Sequence, residues 1–313
     1  MSLNTDALID RRRLKRRLTM WRIIAVVAVV GAAVLLAPAT GFDARGAHVA
    51  RIHIDGVIID DAERLSLIAE AGESANVKAI LLSINSPGGG TTASEALYET
   101  VRKASKNKPV VAVLGTVAAS GGYVAAISAD HIVARGNTLT GSIGVLFQWT
   151  QLEGLLGKLG VKMQDVKSSP LKAEPDGFGP TPKAAIKVLQ DLIDSSYDWF
   201  IGLVIERRGF DDATARKLGD GRIYTGFQAK ELGLVDEIGG EEVALAWLAR
   251  EHDIDADISV EDWEVVVDTP FFAQAASAMI EAGFGSFWDA GEKTLQLKGL
   301  TLDGLVSVWH PNS

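Results

Sequence analysis

The sequence has no cysteine among its 313 residues. Thiol nucleophiles, disulfides and cysteine-ligated metals are excluded together. An excess of basic residues is missing too: the net charge is −9, which disfavours general nucleic-acid binding. No internal repeat is visible. What is present is an ordinary globular composition, 47% hydrophobic and 23% charged, long enough for one large domain or two small ones around a sizeable core.

The amino terminus is the exception to that composition. Arg11 to Arg17 carries six positive charges in seven residues, and Ile23 to Ala37 then runs fifteen residues without a charge. Residues 18–38 therefore read as a transmembrane anchor, interrupted only by Arg22, which can snorkel toward the headgroups. The basic tail over 1–17 places the amino terminus in the cytoplasm and the rest of the chain outside. A competing reading is a removed signal peptide, since Ala37-Pro38-Ala39 resembles a small-x-small cleavage site.

After the anchor, Ala47 to Ile54 alternates as a half-buried strand, with His48 and His53 expected to face solvent. Asp60 to Ser74 reads as a helix. Val77 to Ile84 is a nearly continuous apolar run, as in a strand covered on both faces. It ends at Asn85-Ser86-Pro87-Gly88-Gly89-Gly90, read as a loop whose glycines let backbone amides approach a ligand closely. A phosphate loop fits poorly, because no Lys-Ser or Lys-Thr follows the glycines. A helix is expected from Thr91 to Lys106.

A second strand, Val110 to Gly115, leads into Ala118-Ala119-Ser120-Gly121-Gly122-Tyr123 and then an alanine-rich helix. A serine at such a corner has its hydroxyl pushed out of the backbone, with the amides of the next helix pointing toward it. A plain turn before a helix has the same pattern. His131 begins a short strand and is read as structural. A glycine-punctuated turn and strand follow over Thr138 to Val145. The repeated strand-turn-helix order predicts an α/β fold with a mainly parallel sheet and helices packed outside. Both unusual turns fall at carboxyl ends of strands, where such sheets place their sites. Further on, a proline-framed loop over 167–180 precedes a long helix from about Thr181 to Arg208. Shorter elements follow to a helix over Glu241 to His252. A strand is expected near Glu264 to Val267 and a helix over Phe271 to Ala282.

A serine needs a base. None of the five histidines falls in a turn beside a strand end, so a histidine triad fits poorly. Lysine is the other choice. Moving its pKa from about 10.4 to about 7 costs roughly 4–5 kcal/mol, which requires burial and hydroxyl or carbonyl partners. Lys172, beside Leu171 in the proline-framed loop, fits such a role; a solvated loop lysine is the plainer reading.

The blocks Asn85–Gly90, Ala118–Tyr123 and Leu139-Thr140-Gly141-Ser142-Ile143-Gly144-Val145, with Arg222–Gly226 and Gly233–Asp236, resemble the signal peptide peptidase SppA family, serine peptidase family S49. The resemblance covers about Val49 to Gly240 and is closer to the short, single-domain form. It implies the Clp protease and crotonase type of fold over 47–253, followed by an extension over 254–313. It also implies the site: Ser120 as nucleophile, Lys172 as general base, the amides of Gly89 and Gly121 as oxyanion hole, and Ser142 as the hydroxyl that holds the lysine. Ser169 and Ala173 depart from the family pattern, which has glycine and aspartate there. No cofactor or metal is called for. In short-form members, serine and lysine come from neighbouring subunits of a homo-oligomeric ring. The expected function is a serine endopeptidase acting on remnant signal peptides, from the periplasmic side of a bacterial inner membrane. The rival readings are an S49 membrane peptidase with another protein target, a crotonase-type acyl-CoA enzyme and a non-catalytic membrane scaffold.

Overall fold

The computed structural model describes residues 46–265, positions 17, 20–22 and 25, and the backbone of 306–308. The expected anchor over 18–38, apart from those single positions, and the expected helix over 271–282 lie outside the described residues. Among the described residues no helix is long and apolar enough to cross a membrane. The chain divides after Gly46 into two units, and the second, from Ala47, holds the elements that follow.

In chain order these are β1 (His48–Ile58), α1 (Ala62–Glu73), β2 (Val77–Gly90), α2 (Thr91–Ala104), β3 (Val110–Ala119), α3 (Gly121–Ile127), β4 (His131–Ala134) and β5 (Leu139–Gly141). Then come α4 (Glu153–Lys158), α5 (Lys183–Arg208), α6 (Asp212–Leu218), β6 (Ile223–Thr225), α7 (Gly226–Glu231), β7 (Glu237–Ile238), α8 (Glu241–His252), β8 (Ser259–Trp263) and β9 (Val306–Val308). Local chemistry sets several boundaries. Asp61 caps α1 by accepting from Arg64 N at 2.9 Å. Thr225 and Gln228 form a reciprocal capping box on α7. Gly209, at φ +69°, ends α5 in the left-handed region open to glycine.

The described strands form one sheet with the path β6-β5-β3-β2-β1-β8. Pairing is parallel along β8-β1-β2-β3, and β6 runs antiparallel to β5. Alternate residues of the apolar strands enter two cores. Ala50, Ile52, Ile54, Ile80, Leu82, Ile84, Ala112 and Leu114 pack with the helical residues Tyr123 and Phe200. Val49, Ala79, Leu81, Val111 and Val133 pack with Trp247 and Leu248 of α8. Both faces of β2 are covered, which is why its sequence runs apolar without alternation.

Strand β3 forks. Val111–Leu114 pairs with β4, whereas Val117–Ala119 pairs with β5. The fork separates the neighbours of β3 just before its carboxyl end.

Three expectations change. The glycine segment is not a loop: β2 continues through Gly90, with Val57 opposite Gly88 and Ile58 opposite Gly89 on β1. Of the strand expected near Glu264–Val267, residues 264–265 are not in a strand and 266–267 lie outside the described residues; the strand described there is Ser259–Trp263, so residues assigned to the extension join the sheet beside β1. Tertiary contacts invisible to local propensity decide this. Arg51 of β1 grips Asp262 at 2.5 and 2.9 Å and Glu241 at 2.8 Å, and holds the Asp262 carboxyl down to about 2. His48 does not face solvent. It is fully buried, and Trp263 Nε1 donates to its Nε2 at 3.1 Å.

Replacing His48 by leucine leaves a buried indole N–H without that acceptor. The cost is about 1–3 kcal/mol, the penalty of an unsatisfied buried donor. Urea unfolding of His48→Leu measures it; an unchanged midpoint denies the bond any part in fastening β8.

Candidate active site

Ser120 is the first residue beyond β3 and sits at φ +56°, ψ −120°. A non-glycine residue in this region costs of order 1–3 kcal/mol and needs surroundings that enforce it. The enforcement comes from both sides. Ser120 N donates to Gly141 O at 2.8 Å, and its carbonyl accepts from Tyr123 N at 2.8 Å and Val124 N at 3.0 Å. All seven residues of α3 are buried, and Tyr123 donates its hydroxyl to Leu234 O at 2.8 Å.

The end of β2 lies flat against the first turn of α3. A methyl group on Gly121 would collide with Ser94 Oγ and come within 3.1 Å of Gly89 N. One on Gly122 would reach 2.6 Å from Ser86 O. One on Gly89 would enter the backbone of Ile58. The absence of side chains at 89, 121 and 122 thus permits the amides of Gly89 and Gly121 to approach each other beside Ser120. Two buried hydroxyls hold the segment. Ser86 Oγ accepts from Gly88 N at 3.1 Å, and Ser94 Oγ donates to Gly90 O at 2.9 Å. The sequence reading did not single out Ser94. Its signal is a serine in the first turn of a helix, four residues beyond a carbonyl it can bond.

Ser142 reaches the same place from the neighbouring strand. Ala119 and Gly141 are partners in the parallel β3–β5 ladder, so Ser120 and Ser142 leave adjacent strand ends side by side. Ser142 is itself at φ +49°, with its N–H donating to Arg222 O at 2.8 Å. The structure therefore gathers four of the five residues expected at the site: Gly89, Ser120, Gly121 and Ser142.

Lys172 is not gathered with them in the single chain. It is exposed, and among the described residues its ammonium has no hydrogen-bond or ion-pair partner. Its loop is ordered around the other lysine. Lys167 Nζ lies 2.7 Å from both Asp165 and Glu174 and 3.8 Å from Asp176. The Asp176 carboxyl, held below its ordinary range, accepts from the amides of Phe178 and Gly179. Lys167 is thus committed to carboxylates, which leaves Lys172 as the available amine of the loop. Ala173, where the family pattern has aspartate, stands at φ +59°. Aspartate tolerates that region better than alanine, so the departure adds backbone strain beside Lys172.

His310 lies outside the described residues, and among the described residues the histidines lie elsewhere. His48 and His131 begin their parallel strands, at the end of the sheet opposite Ser120, and His131 stacks on Trp247 with 4.6 Å between ring centroids. His53 faces Asp262 at 3.1 Å. Among the described residues no group of three or more His, Asp or Glu side chains could hold a metal ion. Chemically, the arrangement sets a serine beside the closely packed backbones of Gly89 and Gly121, groups that acyl transfer can use once a base is added.

Comparison with known proteins agrees with that chemistry. The model of peptidase family S49 matches residues 102–255, and that of Clp protease matches 62–135. A protein of Enterococcus faecium, named provisionally as signal peptide peptidase SppA, is 35% identical over 282 residues, 84% of this chain and 76% of the relative. A protein of Synechocystis, named provisionally as a protease, is 38% identical over 210 residues, 67% of this chain and 76% of the relative. Protease 4 of Haemophilus influenzae is 34% identical over 227 residues, 69% of this chain but 37% of that longer protein. The fold is of the Clp protease type, α/β with a mostly parallel sheet.

The packing of the glycines predicts opposite outcomes at two positions. Gly89→Ala meets the Ile58 backbone, whereas a methyl at Gly144 meets only Gly221 Cα at an ordinary 3.7 Å. Thermal unfolding should show a clear loss for Gly89→Ala, about 1–3 kcal/mol as for other overpacked sites, and little change for Gly144→Ala. Equal behaviour of the two variants contradicts the close approach.

Proposed function

The chain belongs to peptidase family S49 and is a serine peptidase, and we propose that Ser120 is its nucleophile and Lys172 its general base. The observation that carries the assignment is the left-handed backbone of Ser120 beside Gly89 and Gly121, a strained corner enforced by glycines that have no room for side chains. Neutral Lys172 takes the hydroxyl proton as Ser120 Oγ attacks the peptide carbonyl. The amides of Gly89 and Gly121 hold the resulting oxyanion. As the tetrahedral intermediate collapses, the protonated lysine gives its proton to the leaving amine. Water then hydrolyses the acyl-enzyme, with Lys172 accepting a proton from it and returning one to Ser120. Ser142 orients the lysine amine.

In this reading the base comes from a neighbouring copy. The support is twofold. Lys172 is exposed in one chain, and a lysine that serves as a base needs covering surface around it. The segment that carries it is rich in uncovered apolar side chains: Leu155, Leu159, Met163, Val166, Leu171 and Phe178 are all exposed, and α4 buries none of its residues. Such a patch is the mark of an interaction surface. A ring of copies would cover it and bring Lys172 of one subunit to Ser120 of the next.

The proposed substrates are peptides, in particular remnant signal peptides, with the chain anchored through 18–38 and its site outside the cytoplasmic face. The name of the Enterococcus relative and the apolar stretch Ile23–Ala37 support this part.

Ser120→Ala and Lys172→Ala should each abolish peptide hydrolysis while the fold persists. Mixed before assembly in equal amounts, the two inactive chains should regain about a quarter of wild-type activity. In a head-to-tail ring, that fraction of interfaces joins an intact serine to an intact lysine. A dyad within one chain gives no recovery, and full activity of Lys172→Ala removes the lysine from the mechanism.

A further inference from the structure

Helix α2 packs through one stripe. Leu97, Tyr98, Val101 and Ala104 are buried at helical spacing, and Ser94 continues the stripe at its amino-terminal end, only 1% exposed. Apolar side chains fill the rest of that face, so a hydroxyl there needs a reason. Half of the reason is local. Ser94 Oγ donates to Gly90 O, four residues back, at 2.9 Å. Helical serines often bond in this way, and the bond satisfies only the hydroxyl itself. The other half lies across the site. Ser94 Oγ occupies the volume that a side chain on Gly121 would need.

One oxygen atom therefore meets both elements that carry the site's amides. It is bonded to Gly90, the last residue of β2 and the neighbour of Gly89. It also bears on Gly121, the first residue of α3. Two other buried hydroxyls of the corner do not bridge in this way. Ser86 Oγ accepts from Gly88 N within its own strand, and Thr140 Oγ1 donates to Ala118 O, joining β5 to β3.

We propose that Ser94 is a positioning residue, whose hydroxyl is the spacer that sets the separation of the Gly89 and Gly121 amides. This role rests on the peptidase reading above, in which those amides receive the oxyanion. The volume beside Gly121 is bounded by Ser94 Oγ, Gly89 N and Gly88 Cα. Two of these atoms are backbone of β2; Ser94 Oγ is the one that a substitution can remove. Alanine at 94 vacates its place, and the lining groups lose contacts and relax into part of the gap. Oxyanion donors work at about 2.7–3.1 Å from the oxygen they hold. A misplacement of about 1 Å costs about 100-fold, so slack of about half that costs about tenfold. Alanine is a good helix former, so α2 itself keeps its fold.

The test compares native and Ser94→Ala full chains on a peptide substrate and on two inhibitors of one peptide sequence. One inhibitor ends in an aldehyde, the other in the corresponding alcohol. Ser120 Oγ adds to the aldehyde carbon, its proton passes to the base, and the carbonyl electron pair moves onto an oxygen placed as the oxyanion is. The alcohol fills the site without that oxygen. Ser94→Ala should lower kcat about tenfold with KM within about twofold of native, and weaken the aldehyde about tenfold but not the alcohol. Unchanged kcat, or equal weakening of both inhibitors, overturns the proposal. A second pair of variants reads the contact without activity. Gly121→Ala should lower the thermal midpoint in the native background and lower it less when residue 94 is alanine, because the new methyl takes the place of the lost oxygen. Equal losses in the two backgrounds also overturn the proposal. If the native chain cleaves nothing, the peptidase reading falls and takes this role with it; if it cleaves and Ser94→Ala matches it, the role of Ser94 falls alone.

Discussion

A serine must be held in a backbone conformation that only glycine adopts freely. Ser120 meets that demand because it stands where β3 has exhausted its neighbours, between a carbonyl of Gly141 on one side and the first turn of a fully buried helix on the other. The cost of the left-handed backbone, of order 1–3 kcal/mol, is offset by the burial around Tyr123 and by the contact of three glycines with the end of β2. A side chain at Gly89, Gly121 or Gly122 would meet the atoms packed against that turn. The fork of β3 between β4 and β5 brings Ser142 to the same end.

The lysine obeys a different constraint. A lysine that acts as a base needs apolar cover, and in the single chain Lys172 is exposed. The loop spends its carboxylates on Lys167 instead and shows Leu171 and Phe178 to solvent. A rigid half-site and a lysine on an apolar surface arm fit an enzyme completed by assembly.

Much of the core was legible from sequence because it follows from simple periodicities. The continuous run at Val77–Ile84 gave a strand covered on both faces, and the corner at Ser120 was marked by Ala-Ser-Gly-Gly after an apolar strand. The elements missed were those decided by distant partners. Gly88–Gly90 reads locally as a loop, yet Ile58 on β1 and Val306–Val308 on β9 make it a strand. Trp263 has weaker neighbours for strand formation than the valines that follow it, yet the indole bond to His48 and the Arg51–Asp262 pair place it in the sheet. His48 looked solvent-facing because alternation cannot tell a solvated face from one buried under a second layer. Lys172 fitted a base by its place beside Leu171 in a proline-framed loop, but only the family resemblance set it above a solvated loop lysine.

The free side of β2 beyond Ser86 follows from the same turn that sets Ser120 at its positive φ. For Ser120 to leave the sheet, β3 must stop pairing with β2 at Ala118. For Gly89 to lie against Gly121, β2 must continue past that point. Together these requirements leave a strand edge beside Ser120, the shape an extended segment fits. They also leave an adhesive edge that would pair with other chains if nothing covered it. In the structure β9 covers that edge through backbone pairing, Val306–Val308 lying opposite Gly88–Gly90, so the edge does not stand open.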